Sequence, residues 1–484
     1  SFDAVYKDGS ATIVLEEYLV PEDSFLTLNN VETTIAKDNT LTNAGTINMD
    51  KDSSLTVASG ATLKQAGTVN GEVENNGTIT KYVARVGNKG YESLEAALNA
   101  VKDNGGTITL LDNAKLEGAN NYTIKGDVTI QGNYTITATP AAGQRTKVFT
   151  IENGGKLMLD GVTLNITGTQ NAEDGKKEGD GINVRYGAEL GLKDATVTFT
   201  DMFSPLVFEA SPDTTTLGKL TMENSTITAT GTRGNFSNGG EWAIKERSTV
   251  NIKDCGTHGL SVEKLTVDKS NVTVDGAKWV GIYASEMSFT NGANVTVTNC
   301  ATAEGIGNTY KNKGAVQLKH VGSETPELKI EDSTLTLTGN GNGATTGEQT
   351  VYVGDATVTI DADSNVYAQI ESTDSATQYY TVVFKNENGE DQSKIVASTS
   401  EPISLPDLPD QGYNHFVGWT DGTTTYDANT QVKIEKDTTF TAVWTYIPPA
   451  NPNYRIDIPA AEGGTVTADP AAAKAGATVT LTAT

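Results

Sequence analysis

Three carboxylates, Asp180, Glu209 and Glu241, stand ahead of short apolar runs, and each has the side chain that a general acid, base or nucleophile in glycoside hydrolysis requires. That reaction needs two carboxyl groups held about 5 to 10 Å apart around one bond. No two carboxylates occupy the same motif position in adjacent coils closely enough to claim a pair, so these three are weak catalytic candidates. Arg185 and Glu304 lie in similar stretches and add no constellation, and only three histidines exist, His258, His320 and His415. Aromatic residues offer a second chemistry. Trp242, Trp279, Phe236 and Tyr310 precede apolar strands, and Tyr283 lies within one. A row of aromatic faces along one side of a scaffold grips a sugar chain or a partner loop. The ligand-binding candidates are therefore Trp279, Trp242, Tyr283, Tyr310 and His258. Trp279 is expected to face outward, whereas packing is the stronger reading for Trp242.

No metal or cofactor is expected. The two cysteines, Cys255 and Cys300, have no zinc-site spacing. Cys255 aligns with a small-residue corner held elsewhere by Ala195, Ser225, Ser270 and Ser333, the place of a buried structural thiol. A separation of 45 residues leaves open whether it bonds to Cys300. The segments DKDSS at 50 and DADSN at 361 lack the glycine and distal glutamate of a calcium loop and read as turns.

The composition limits the partners. Lys and Arg number 35 against 61 Asp and Glu, a formal charge of −26, which argues against nucleic acid and anionic membrane surfaces. No run of 18 apolar residues could span a bilayer, so membrane insertion is not expected. The opening SFDAVYKDGS has no charged segment followed by an apolar one, as expected of a mature or trimmed chain.

The elements that must position these residues are strands. With 49 Gly, 7% aromatics and abundant Thr, Val and Asn, the chain favours short strands joined by tight turns. Residues 1–80 repeat a small unit, TLTNAGTIN at 40, TLKQAGTVN at 62 and EVENNGTIT at 72, with Gly45, Gly67 and Gly77 at the turns, which marks β-solenoid repeats. One amphipathic helix is expected near 92–103, where Leu94, Ala97, Leu98 and Val101 share a face and Gly105 stops it. Directly before TITLL it has the place of a cap on a solenoid end. From 150 to 370 the pattern is an apolar pair, a corner and a second pair: LMLDGVTLNI, LGLKDATVTF, LTMENSTITA, LTVDKSNVTV and LKIEDSTLTL. The second pair begins seven residues after the first, or eight in MSFTNGANVTV, while STVNIKDC at 248 does not fit the spacing. A third short strand precedes each pair, as in GINV, GLSV, GIYA, AVQL and TVYV. Three strands per turn, inward residues stacking on the coil below, imply an all-β chain with a right-handed parallel β-helix over 81–375.

After residue 376 the composition changes. The phrases TVVFKNENG, FVGW (416–419) and FTAVW (440–444) resemble the internalin-type B repeat, also called the Listeria-Bacteroides repeat. The resemblance covers 376–446 and implies a small β-grasp-like module, with Trp419 and Trp444 as its large anchors. Residues 447–453 read as a Pro-rich linker, and 454–484 as the truncated start of a divergent surface repeat. Residues 82–112 and the coils after them resemble pectate-lyase-like β-helices, a superfamily of polysaccharide lyases, glycoside hydrolases and noncatalytic adhesins, so fold alone leaves function open.

These readings imply an extracellular segment of a bacterial cell-surface protein, attached to the wall through a missing C-terminal region and monomeric. It is expected to act as an adhesin, binding a host glycoprotein, a glycan, or an immune or matrix protein through loops on one side of the β-helix, the repeats serving as a stalk. The alternatives are a β-helix polysaccharide lyase or glycoside hydrolase, and a structural spacer.

Overall fold

The computed structural model describes residues 4–7, 10–13, 17–119, 121–143, 145–211, 216–302, 314–320, 325–341, 350–361, 363–373, 377–400, 402–448, 453–460 and 462–484. They form two compact units, Ser1–Tyr379 and Tyr380–Thr484.

The first unit begins with a small three-sheeted stack. Parallel pairing joins Glu32 to Ser54, Thr40 to Thr62 and Thr46 to Thr68, so on all three sides that coil takes 22 residues and returns each side chain to its own column. Leu41, Leu63, Ile47 and Leu55 meet inside, each fully buried. Glycine at the turn is a steric demand. A Cβ on Gly67 would lie 2.1 Å from the carbonyl oxygen of Gly45 in the next coil.

A second β-helix with its own cap follows. The helix Leu94–Val101 is N-capped by Ser93, whose Oγ accepts from the Ala96 amide at 3.1 Å. It buries Leu94, Ala97, Leu98 and Val101, the face expected from the sequence. Among the described residues, one sheet of twelve strands runs from Lys89–Tyr91 and Ala84–Val86 to Thr357–Ile360, and a second of ten from Ala114–Ala119 to Asn365–Tyr367. A third side is assigned as two five-stranded pieces, Tyr122–Ile124 to Ser237–Asn238 and Leu260–Ser261 to Gln369–Ser372. The amides of Ser237 and Gly239 donate to the carbonyls of Gly259 and Ser261, carrying the ladder across the break.

The corner between the first and second sheets explains the seven-residue spacing. Asp194, Asn224, Lys269 and Asp332 turn it in the left-handed region, at φ of 50, 46, 48 and 44°. The next residue is a buried Ser or Ala. The hydroxyl oxygens of Ser225, Ser248 and Ser270 accept from the amides of Ala195, Ser225 and Ser248 in the coils below, at 3.0 to 3.2 Å. Each corner amide thereby gains a partner that a parallel ladder does not supply at a bend. The irregular STVNIKDC segment belongs to the same series. Its coil starts at Glu241–Lys245, and its corner holds two left-handed residues, Glu246 and Arg247, one more than usual, as do Asn291 and Gly292 in the other eight-residue coil.

That assignment corrects two expectations. Trp242 lies inside a strand, in register with Leu220 and Leu265, rather than in a loop before one. Cys255 is not at the serine corner, whose place in that coil belongs to Ser248. It sits at the opposite corner, in one column with Thr232, Ala277 and Cys300, as the bonds from Gly256 to Thr232, Lys278 to Cys255 and Ala301 to Ala277 show. Cys255 and Cys300 are free, buried and two coils apart, about 10 Å.

The second unit contains a five-stranded sheet in which Tyr379–Lys385 pairs parallel with Thr438–Tyr446, and the latter antiparallel with Asn414–Thr420. Trp419 is its buried anchor, its indole N–H donating to the Pro406 carbonyl at 2.7 Å and its ring 4.8 Å from Phe384. Trp444 is only partly buried, at the core margin against Phe416. Gly418 completes the FVGW phrase because it forms a bulge at φ +147°, where a Cβ would lie 2.1 Å from the Tyr426 carbonyl oxygen. No helix among the described residues is long and apolar enough to cross a membrane.

Candidate functional site

The three outer faces differ in chemistry. On the first sheet, Asp127, Lys156, Glu189, Lys219, Glu241, Lys264 and Glu286 stand in one column of alternating charge. The pairs Lys156–Glu189, Lys219–Glu241 and Lys264–Glu286 close at 2.9, 3.1 and 2.7 Å. Glu241 is thus a rung between two lysines. The second sheet presents rows of hydroxyls, such as Thr196, Thr198 and Thr200 above Thr226, Thr228 and Thr230. Its corner with the first sheet is short in every coil. The longer connections, 168–179, 209–218, 299–315, 319–326 and 339–349, all flank the third sheet.

The carboxylates do not converge there. Asp180 is buried at the start of its strand, Oδ2 accepting from Arg145 Nε at 2.7 Å. Burial raises its pKa, outweighing the opposing pull of Arg145 and Lys147. Glu209 lies beyond the far end of the same strand, where it accepts from Asn183 Nδ2 at 2.8 Å and stands 3.8 Å from Arg185 Nε. Five extended residues separate Asp180 from Arg185, about 16 Å, which exceeds the spacing of a glycosidase pair. Glu241 belongs to another sheet.

The aromatic candidates do gather, with one departure. Trp242 is fully buried, its ring 5.4 Å from Phe208 and 5.9 Å from Phe236, so it is core and presents nothing to a ligand. Tyr310 and Glu304 lie outside the described residues. His258, Trp279 and Tyr283 form one cluster on the third sheet: Trp279 meets the His258 ring edge-on at 5.3 Å, and Tyr283 stacks on it at 5.7 Å. Lys319 covers Tyr283 at 5.0 Å and pairs with Glu263 at 3.5 Å.

His258 is fixed in tautomer by Asn235. The Asn235 Oδ1 accepts from the His258 amide at 3.3 Å and from the Thr257 hydroxyl, so it is an acceptor and His258 Nδ1, 3.2 Å away, must donate to it. The neutral ring therefore carries its lone pair on Nε2. Burial first, and Lys319 second, push its pKa down to about 4.

Lys319, Glu263 and Asn235 are members that sequence reasoning missed. Leu260, Ile282 and Val316 are in register, so Glu263, Ser285 and Lys319, each three residues further on, share a column. That signal was available once the third strands were aligned. Glu263 Oε2 and Ser285 Oγ are shielded from solvent without a hydrogen-bond partner among the described residues. Beside this column a recess of about 360 Å³ is lined by Lys319, His320, Pro326, Tyr352, Asp355 and Thr373, among others. Metal-binding groups of three or more His, Cys, Asp or Glu are absent among the described residues. The DKDSS and DADSN segments are turns: Asp50 and Asp361 each accept from a serine hydroxyl three residues on, both at 2.6 Å, and from an amide of the adjacent coil.

A family model for the divergent InlB B-repeat domain matches residues 380–448 and 454–484. Both stretches are similar to that family, a kind of repeat typical of bacterial surface proteins. No curated protein and no solved structure matches the chain.

Proposed function

We propose that this chain, whose C-terminal repeats are of a kind typical of bacterial surface proteins, is an adhesin segment that recognises an extracellular glycan or host protein through the third side of its β-helix. The observation that carries the reading is the meeting, on the one loop-flanked sheet, of Trp279, Tyr283 and His258 with the Lys319–Glu263 pair. Tryptophan and tyrosine are among the residues that dominate recognition energies. Long connections on a rigid scaffold are where recognition residues concentrate. The B repeats then act as the stalk that carries this side away from the cell.

The test is binding of the full chain to an array of glycans, host matrix proteins and immune proteins, with sugar release followed in the same wells. Selective binding that weakens at least tenfold in Trp279→Ala or Tyr283→Ala supports the reading, since truncating a central anchor costs more than about 1 kcal/mol. Binding untouched by both substitutions would move recognition elsewhere, and sugar release would replace adhesion with catalysis.

A further inference from the structure

We infer that the first sheet of the β-helix is a self-recognition face, pairing with the same face of a second copy of this chain whose axis points the same way. It uses a face that the third-side reading leaves free, and it replaces the expectation of a monomer.

The sheet carries two columns of alternating charge. The first contains Lys156, Glu189, Lys219, Glu241, Lys264 and Glu286. The second lies four residues further along each strand and contains Asp160, Lys193, Glu223 and Lys245, with Asp268 next after the Val267 that pairs with Ile244. The two columns are in antiphase. Each of five successive strands, from Lys156–Asp160 to Lys264–Asp268, therefore bears one cation and one anion, and their order reverses from strand to strand. Between the columns runs an uncharged row, Met158, Gly191, Thr221, Ala243, Thr266 and Ser288. Apart from Met158 its side chains are small, so a facing surface can reach the charges on both sides. Those charges are open to solvent: the eight side chains that form ion pairs along the columns are 33 to 54% exposed.

Pairing between coils accounts for alternation within each column but not for the antiphase. Charges four residues apart in one strand are about 13 Å apart, beyond the Debye length of about 8 Å at physiological ionic strength. The isolated fold is therefore nearly indifferent to the phase. A second copy is not. When a two-fold axis parallel to the β-helix sets two copies face to face, the start of each strand meets the end of the same strand in the other copy. Lys156 then opposes Asp160, Glu189 opposes Lys193, Lys219 opposes Glu223, and the reverse contacts follow by symmetry. Columns in phase would oppose like charges, and so would a shift of one copy by one coil. An ammonium has three donors and a carboxylate several acceptor sites, so a pair closed within one chain can also bind across.

The face is small. Six strands about 4.8 Å apart, each about 13 Å long, cover on the order of 300 to 400 Å² per copy, under half of the roughly 800 Å² per partner that stable complexes bury. The pairing is accordingly weak, and avidity strengthens it where many copies stand side by side.

The experiment is sedimentation equilibrium of the full chain over a wide concentration range at low and high salt. One variant inverts the first column (Lys156→Glu, Glu189→Lys, Lys219→Glu, Glu241→Lys) and another the second (Asp160→Lys, Lys193→Glu, Glu223→Lys, Lys245→Glu). Neither changes the net charge, and both keep the four inverted positions alternating, with thermal melts to certify folding. A third variant, Ala243→Arg, fills the middle row and leaves both columns intact. The expected result is a wild-type dimer that salt weakens, self-association at least about tenfold weaker in each of the three variants, and a dimer restored by mixing the two inverted variants, whose faces complement each other. Wild type that stays monomeric at every concentration overturns the inference. So does self-association that high salt or Ala243→Arg leaves unchanged, or an inverted variant that dimerises as wild type does. Where an inverted variant fails to fold, Ala243→Arg and the salt dependence decide.

Discussion

Replacing Trp242 with alanine should unseat the middle of the β-helix, whereas the same change at Trp279 should not. Trp242 is fully buried between Phe208 and Phe236, with Leu220 and Leu265 in the coils on either side. Truncating a tryptophan in such a core costs about 3 to 5 kcal/mol, transfer and cavity terms together. Its indole Nε1 has no hydrogen-bond partner among the described residues, so Trp242→Phe sheds a desolvated N–H along with some volume and should cost only about 1 kcal/mol. A solenoid couples mainly neighbouring coils, so the damage should be local. Hydrogen exchange read by mass spectrometry is the suitable assay, because a chain of two compact units does not give one unfolding free energy. Peptides covering the strands Lys219–Glu223, Glu241–Lys245 and Lys264–Asp268 should exchange faster by roughly two to three and a half orders of magnitude in Trp242→Ala, while residues 380–446 serve as an unchanged internal reference. Acceleration below tenfold, or a larger effect from Trp279→Ala, would refute the placement of Trp242 in the leucine column.

His258 gives a pH dependence of defined sign. The fold accepts its neutral ring, so below pH 6.5 the unfolded chain binds a proton that the folded chain refuses until about pH 4. Stability should hold above 6.5, fall by about 3 kcal/mol through that window and level off below it, and the slope should vanish in His258→Gln when β-helix unfolding in urea is followed across pH. The buried thiols of Cys255 and Cys300, pushed up to about 12 by desolvation, should resist maleimide at pH 8 in the folded chain and react at once in denaturant. Ala277→Cys inserts a third thiol between them in one column, about 5 Å from each neighbour, and mild oxidation should then yield a single disulfide to Cys255 or Cys300, where wild type yields none. Free thiols in the oxidised variant would mean that the column is out of register.

Periodicity made some elements legible and hid others. The helix Leu94–Val101 could be read because four apolar residues fell on one face ahead of a glycine stop. The paired strands could be read because their corner nearly always has one length. The coil carrying Trp242 escaped because its corner is one residue longer and a tryptophan replaces the usual leucine. Ser204–Phe208 and Ser237–Asn238 escaped as third-sheet strands: the first is buried on both faces and shows no alternation, and the second is two residues long. The residue types of the site were visible, but their meeting was not. His258 and Lys319 lie 61 residues apart, and only the pairing of Ile282 with Val316, across a connection of irregular length, brings the lysine to the ring cluster.

Why recognition should fall to the third side follows from what the other two must do. On the first sheet, Lys156–Glu189, Lys219–Glu241 and Lys264–Glu286 tie one coil to the next, and a one-residue slip would set these pairs out of step. Such exposed pairs add little stability singly, about 0 to 1 kcal/mol, but a slip would also turn the inward leucines outward, so the two penalties favour the same register. The corner between the first and second sheets is bound in turn by its serine ladder, which breaks if that turn lengthens by more than its extra left-handed residue. Among the described residues the two turns flanking the third sheet carry no such serine ladder, and they hold the connections of ten residues or so while the core columns stay in register. Insertions there leave the strand register intact, and the cluster of His258, Trp279, Tyr283, Glu263 and Lys319 lies on the sheet that they flank. Long connections flanking a rigid sheet are where recognition residues concentrate, which is the reason for proposing recognition on that side.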